Sequence, residues 1–505
     1  MTTTVFILWT MVLGGIGFLL IQICSWLYQM KKQIDFFETF PGPKLHWIYG
    51  NLHQNPGPNQ KGLDWRIRHP QMYGNVYRLY YSILRPVLNL DGPEVIKAAV
   101  KSGAKKVLTG PGYRYFYPWL GDGLLVSKGA KWFRNRRLLT PAFHFDILKP
   151  YTNVYNTAAE KLGAKFDRVC DKCESFEIFG PVSLGTLDVM LTCAFSYNQN
   201  IQEIGDDHPY VKAVKGLANL LLKRFFNPIM DIDWLYYRTA DGKRFLELSE
   251  FTHSVSENII KERRKNLKQS PGSNKGRLDF LDILLSAKDE TGKGLDDIEI
   301  RDEVETFLFE GHDTTASAIS WTLYSLAQYP ECLAKVQEEL DDVIGQDVNQ
   351  PIKWEDLANL NYLTLCIKEG MRLHSPVPFI GRITDKEIVL EGRKIPPGIR
   401  IDMNLYMVHH NPNVWGDDHM EFKPERFEID NRADKDSYAF IPFSAGPRSC
   451  IGQNFAMNEM KVVIGRIVHK YNISVDETHV IEKVPELIMR AKDGIKLFVT
   501  SREKM

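Results

Sequence analysis

The hydrophobic pattern changes twice along the chain. Residues 5–28 contain no Asp, Glu, Lys or Arg and are mostly apolar. As a helix this run is about 36 Å long, enough to cross a hydrocarbon layer of about 30 Å with some tilt. Beyond it, apolar residues recur at helical spacing over residues 151–169, 258–268, 297–328, 331–344, 362–373 and 454–471, the mark of helices that bury one face. Short apolar runs at 76–79, 87–90, 388–390, 399–403 and 495–500 predict strands. The expected fold class is mostly α with small peripheral β-sheets, preceded by a single N-terminal transmembrane helix.

The basic pair Lys31-Lys32 follows the apolar run directly, which by the positive-inside rule leaves the rest of the chain in the cytosol. A cleaved signal peptide would need a charged leader and a shorter apolar core ending in small residues; neither is present, so an uncleaved anchor is expected. Phe40-Pro41-Gly42-Pro43 breaks any helix, because each proline fixes its own φ. The predicted division is residues 1–30 as membrane anchor, 31–45 as a basic, proline-rich hinge and 46–505 as one catalytic domain, with residues 269–276 an exposed loop.

Composition narrows the function classes. The 63 Lys+Arg balance 63 Asp+Glu, and 44% of the chain is hydrophobic, so the bulk folds and carries no basic excess for nucleic acid. The seven cysteines are few and odd in number, which excludes a disulfide-dense scaffold and leaves room for one with chemistry. Cys170 and Cys173 have metal-ligand spacing but no second pair nearby, and are read as incidental.

The sharpest signal is Phe443-Ser444-Ala445-Gly446-Pro447-Arg448-Ser449-Cys450-Ile451-Gly452. It presents a thiolate on a tight loop just before a helix, whose N-terminus favours a sulfur anion. Glycines at 446 and 452 let the backbone turn and approach a flat ligand. The pattern F-x-x-G-x-R-x-C-x-G arises by chance in a chain of this length on the order of once in ten thousand. With it the sequence resembles the cytochrome P450 superfamily of heme-thiolate monooxygenases.

That resemblance implies the P450 fold and heme b, with Cys450 as axial iron ligand and Phe443 beside the heme. It further implies that Trp132, Arg136, Arg382 and Arg448 meet the heme propionates. Glu369-x-x-Arg372 and the later Arg426 in Pro-Glu-Arg-Phe correspond to a structural triad holding the cysteine loop. In Phe309-Glu310-Gly311-His312-Asp313-Thr314-Thr315, Asp313 and Thr314 form an acid–alcohol pair suited to delivering protons during O₂ activation. Gly311 is expected to open the helix for dioxygen.

Glu310 and the run E-G-H-D-T-T are similar to family 4 of the superfamily, microsomal ω-hydroxylases of fatty acids and eicosanoids. The resemblance implies that Glu310 links covalently to the heme and that a narrow site takes a lipid chain end-on. By the same alignment Tyr113, Phe116, Trp119, Phe309, Val377, Phe379 and Ile488 line the substrate pocket. The apolar residues over 220–237 either dip into the membrane lipid and admit a small lipophilic substrate or form a buried helix pair. No arginine in the sequence stands out as a carboxylate anchor. The implied setting is the endoplasmic reticulum membrane, with the catalytic domain facing the cytosol.

The chain has no complete flavin or nicotinamide fingerprint, so electrons come from a partner. The resemblance names an NADPH–cytochrome P450 reductase and admits cytochrome b5 as a second donor. Lys131, Arg134, Arg137, Lys423 and Lys461 are candidates for docking it. The leading function is lipid ω-hydroxylation; a monooxygenase acting on a xenobiotic, steroid or other lipid is the alternative. A reductase-independent heme-thiolate isomerase or peroxygenase would need no proton relay, so Asp313-Thr314 argues against it. A non-catalytic heme sensor is the third class, separated by oxygen uptake with a fatty acid.

Overall fold

Asp296 opens the long helix that organises the body, Asp297–Gln328. Its side chain accepts from the Glu299 N–H while Glu299 reaches back to the Asp296 N–H, a reciprocal cap that satisfies two otherwise orphaned donors. The computed structural model describes residues 2–47, 49–82, 85–101, 112–172, 174–197, 200–269, 279–432 and 435–502. The central helix is buried along most of its length and packs against helix Phe179–Phe195. That second helix is mostly apolar and almost wholly buried, Thr186 and Asp188 included, so it has no exposed polar face to set a helical period. Its absence from the sequence reading has this cause.

The other expected helices form with small changes at their ends: Tyr151–Asp167, Pro330–Ile344, Asn361–His374 and Gln453–Lys470. The segment expected at 258–268 belongs to a longer helix, Ala240–Gln269. Most of the loop expected at 269–276 lies outside the described residues, as does Cys173.

The strands are β1 (Val76–Tyr80), β2 (Pro86–Leu90), β3 (Phe176–Glu177), β4 (Phe379–Ile383), β5 (Ile388–Leu390), β6 (Arg393–Ile395), β7 (Arg400–Asn404), β8 (Tyr471–Val475), β9 (Lys483–Pro485), β10 (Met489–Ala491) and β11 (Lys496–Ser501). Four of them make the largest sheet in the order β1-β2-β7-β4, with only β2 and β7 parallel. Strands β3, β11 and β8 form a three-stranded sheet, and β5–β6 and β9–β10 are two-stranded. The four-stranded sheet carries its own apolar cluster, separate from the main core of the helices.

The N-terminal helix runs from Thr2 to Glu38, and the stretch from Trp9 is long and apolar enough to cross a membrane. The expected hinge at 31–45 is therefore helical through Glu38. It is also docked: Phe37 and Phe40 are buried in the sheet's cluster with Leu88, Leu90 and Ile401. Arg78 of β1 grips Glu38 with Nε and Nη2 at 3.0 and 2.6 Å, and Tyr80 donates to the same carboxylate. Gly42 lies so close to β1 that a Cβ would sit 2.4 Å from the Arg78 carbonyl oxygen. Prolines 41 and 43 thus turn the chain against the sheet rather than leaving a free joint.

Candidate active site

The cysteine loop is held by its own backbone. The Cys450 N–H donates to the Phe443 carbonyl at 2.9 Å, and Ser444 N–H to Ile441. Ser444 and Gly446 both have positive φ, at 59° and 72°. A Cβ on Gly446 would come 2.5 Å from Cγ1 of Val100, so this glycine is required for both conformation and space. Helix Gln453–Lys470 begins just after the loop, directing its N-terminal dipole toward the sulfur.

Cys450 borders a cavity whose wall brings together most of the residues the sequence singled out: Trp132, Arg136, Glu310, Thr314, Arg382, Phe443 and Arg448. Trp132 and Arg136 reach it from one face of helix Gly129–Leu139, four residues apart. Glu310, Gly311, Thr314, Thr315 and Ala318 form one stripe of the central helix along it. Arg136 donates to the Ser449 carbonyl at 2.9 Å. Arg448 lies over the Trp132 ring, 4.0 Å from its centroid, and donates to the Ser127 carbonyl.

This cavity carries an unbalanced charge. Among the described residues three guanidinium groups line it, and Glu310 is its one carboxylate. Burial, with Arg382 and Arg136 close by, lowers the Arg448 pKa to about 10. Its Nη1 is buried with no hydrogen-bond partner. Burial lowers Arg136 as well, partly offset by the Cys450 sulfur. Such a cluster calls for a ligand with more than one negative charge. A flat apolar macrocycle bearing two carboxylates would fit these donors, and the Cys450 sulfur borders the same cavity.

Asp313 is not on this wall. Its two carboxylate oxygens accept from Nη2 of Arg490 in β10 at 2.5 and 2.7 Å. The Thr314 hydroxyl donates to the Glu310 carbonyl at 2.9 Å. The acid and alcohol expected to work together are thus each engaged elsewhere. Gly311 differs from expectation too. The central helix is uninterrupted there, and a Cβ would meet the Met190 side chain at 2.7 Å. The glycine admits the neighbouring helix rather than opening its own.

Two of the triad behind the loop, Glu369 and Arg372, are fully buried, and Arg426 is partly so. Arg372 donates through Nε and Nη2 to the two oxygens of Glu369 at 2.7 and 2.8 Å, and Arg426 lies 3.3 Å from the same carboxylate. One residue missed by the sequence reading continues this chain of bonds. Arg372 donates to the His409 carbonyl, and the His409 Nε2 accepts from the Ile441 N–H, just before the cysteine loop. Its Nδ1 bonds Ser375 Oγ. Burial lowers the His409 pKa to about 3, which suits a neutral ring accepting a backbone donor. Nothing in the local sequence distinguishes it from its neighbour His410.

A second cavity adjoins the first, sharing Tyr113, Leu125, Glu310, Thr314, Val377 and Ile380. It is lined by Tyr113, Phe116, Phe309, Val377, Phe379 and Ile488. The seventh expected lining residue, Trp119, stands behind this wall: it is fully buried and packs on Phe309 at 4.6 Å between ring centroids. Burial raises the Tyr113 pKa, and its hydrogen bond to Arg382 offsets part of this. The sequence reading missed Arg66, Tyr81, Arg85 and Arg400, which also border this cavity.

The five candidate docking cations all have partners within the chain. Lys131 pairs with Asp122, Arg134 with Asp289 and Glu299, Arg137 with Glu290, and Lys423 with Asp418 and Glu421. Lys461 donates to the Leu357 carbonyl.

Residues 40–499 match the family model described as Cytochrome P450. The chain is 40% identical to cytochrome P450 4F6 of Rattus norvegicus over 502 residues, covering 97% of this chain and 92% of that relative. It is 40% identical to an ultra-long-chain fatty acid omega-hydroxylase of Homo sapiens over 95% of this chain and 91% of the relative. With leukotriene-B4 omega-hydroxylase 3 of Mus musculus it shares 39% identity over 97% and 95%. A half-buried arginine cluster around a loop-borne thiol and a match over nearly the whole chain agree: the protein belongs to the cytochrome P450 family, heme-dependent monooxygenases that use O₂.

Proposed function

We propose that this protein hydroxylates lipid chains, fatty acids or eicosanoids, at or near the ω carbon. The observation that carries this is the junction of the two cavities at Glu310 and Thr314: an aromatic, apolar cavity opens there onto the one that holds Cys450. A flexible chain lying in the first presents its end, not its middle, to the second. Relatives named as ω-hydroxylases of ultra-long-chain fatty acids and leukotriene B4 support the substrate class.

When bound, the heme supplies the thiolate-ligated iron at which O₂ is activated. Cys450 would hold that group, and Arg136, Arg382, Arg448 and Trp132 would orient its propionates by charge-assisted hydrogen bonds. Phe443 packs at the loop's start and the triad keeps the loop in place. Phe309, Val377 and Ile380, which line the aromatic cavity, exclude bulk water and direct the chain end. The Thr314 hydroxyl is placed to pass a proton into the junction, and Asp313, one residue back, resupplies it when its pair with Arg490 opens.

Glu310 lines both cavities, which supports an ester link to the heme. Acidified organic extraction checks it: the heme should stay with the protein, and quantitative loss to the solvent would refute the link. The N-terminal helix and Lys31-Lys32 support a single-pass protein of the endoplasmic reticulum with its body in the cytosol. There it draws electrons from an NADPH–cytochrome P450 reductase, with cytochrome b5 a further donor.

Reconstitution with reductase, NADPH and a panel of lipids tests the function. Terminal or near-terminal alcohols, formed only with NADPH, are expected. Conversion without reductase would instead indicate an isomerase or peroxygenase.

A further inference from the structure

The aromatic cavity has a charged margin. Arg66 of helix Gln60–Ile67, Tyr81, Arg85, and Arg400 and Asp402 of β7 border it, and none of these five borders the cavity of Cys450. They surround the Tyr81 ring: the guanidinium carbons of Arg66 and Arg400 each stand 5.8 Å from its centroid.

Two of the three arginines are neutralised within the chain. Arg85 pairs with Asp231, and Arg400 pairs with Asp402 at 3.2 Å. The remaining carboxylate of this wall away from the junction, Glu486, lies 3.5 Å from Arg490. Arg66 differs. It is 8% exposed, its Nη2 donates to the Tyr81 hydroxyl at 3.2 Å, and its guanidinium sits 4.7 Å from the centroid of the Phe379 ring. Among the described residues no carboxylate lies within ion-pair distance of it. The nearest carboxylate, Asp402, reaches Arg66 only across the Tyr81 hydroxyl, at 3.5 Å from that oxygen, and is already paired with Arg400, so the Arg66 guanidinium at the cavity wall has no direct ion pair of its own.

The geometry points to Arg66 as the residue that binds the substrate's carboxylate, with the Tyr81 hydroxyl as a second donor. This deepens the lipid-hydroxylase reading and rests on it for the substrate class. A guanidinium presents two parallel donors matched to a carboxylate, and the Tyr81 hydroxyl, which donates weakly to Asp402 at 3.5 Å, can turn that proton to the bound headgroup. With the headgroup held at Arg66, the chain runs along Phe379 and Phe309 and its far end arrives at Thr314. Selection of the chain terminus then comes from fixing the opposite end, not only from narrowness at the iron. A fatty alcohol of equal length fills the same apolar wall without the charge.

The test is equilibrium binding to the full-length holoprotein, read by the shift of the heme absorbance, with a saturated C16 acid and the C16 primary alcohol as probes. The acid should bind wild type about 10- to 100-fold tighter than the alcohol, the range for a charge-assisted bond. Arg66→Leu should bring the ratio close to one, leaving the alcohol within about twofold, as expected where only a charged contact is lost. Arg66→Lys should keep part of it, and Tyr81→Phe should weaken the acid alone. If Arg66→Leu fails to retain heme, Arg66→Gln is read in the same way. Equal affinity of wild type for acid and alcohol, or a ratio that survives loss of the guanidinium, overturns the proposal. The lipid-hydroxylase reading fails on a different result, the lack of oxygenated product from any lipid, and the binding ratio still decides the anchor.

Discussion

Nη2 of Arg490 lies 2.5 and 2.7 Å from the two carboxylate oxygens of Asp313, joining the β9–β10 hairpin to the central helix beside the reaction cavity. The pair is 6% exposed on the aspartate side and 25% on the arginine side. It ties up the carboxylate of the residue before Thr314. On the proposed role of Thr314, proton delivery from Asp313 would require this pair to loosen.

Asp313→Asn keeps the size of the side chain and removes its acid. We expect kcat to fall roughly 10²-fold, the typical worth of a positioned proton donor, with heme content retained and more oxygen diverted to peroxide. A purely structural aspartate would show a lower melting temperature with kcat per heme unchanged. Product and peroxide yields per NADPH consumed separate the two.

His409 makes stability depend on pH in a defined direction. The unfolded chain takes up a proton at this residue near the ordinary 6.5, the folded chain only near 3. Stability from this group is therefore full at neutral pH and falls as pH drops below about 6.5, by up to ~1.4 kcal/mol per pH unit. Urea unfolding of wild type and His409→Gln at pH 7 and pH 5 checks it. The difference between the two proteins should shrink by ~2 kcal/mol at the lower pH, since the variant has no such proton to take up.

Gly446→Ala should damage the thiolate loop. The residue has φ of 72° and its new Cβ would stand 2.5 Å from Val100 Cγ1. The left-handed conformation alone costs a non-glycine residue ~1–2 kcal/mol, and the clash adds to it. Reduced-CO spectra should show loss of the thiolate-ligated band. A second substitution, Val100→Ala, should restore part of it by removing the clash but not the strain.

The docking cations separate by their burial. Arg134 is 20% exposed between Asp289 and Glu299, so reversing its charge places a third acid beside two and should unfold that corner. Arg137 is 59% exposed and its partner Glu290 is 77% exposed, a pair worth ~0–1 kcal/mol. Arg137→Glu should leave the melting temperature unchanged. If the face docks reductase, it should raise the reductase concentration needed for half-maximal turnover, more so at low salt. An unchanged titration at every salt concentration removes Arg137 from the interface.

Local patterns reached far into this protein because many of its features are local. The span ending before Lys31, the capped helix Asp297–Gln328 and the loop from Phe443 to Gly452 each rest on residues adjacent in the chain. So does the identity of Cys450, since glycines and a following helix N-terminus shape its surroundings directly. Helix Phe179–Phe195 was illegible for the opposite reason: a segment buried on every side has no polar face to set its period.

What the sequence determined by itself is the inventory of chemistry: one thiol on a turn, an acid and an alcohol in a buried helix, arginines to meet an anion, and an anchor. Only the tertiary structure decided which of these meet. It paired Asp313 with Arg490 across 177 residues, brought Ile441 to His409, and moved Trp119 one layer behind the wall. It also placed Arg66 on the wall of the aromatic cavity with no direct ion pair among the described residues. Charges and hydrogen bonds act over a few ångströms in space, and chain order constrains that distance only within a helix turn or a tight loop. The partners of a buried group are set by packing, and packing is a property of the whole fold.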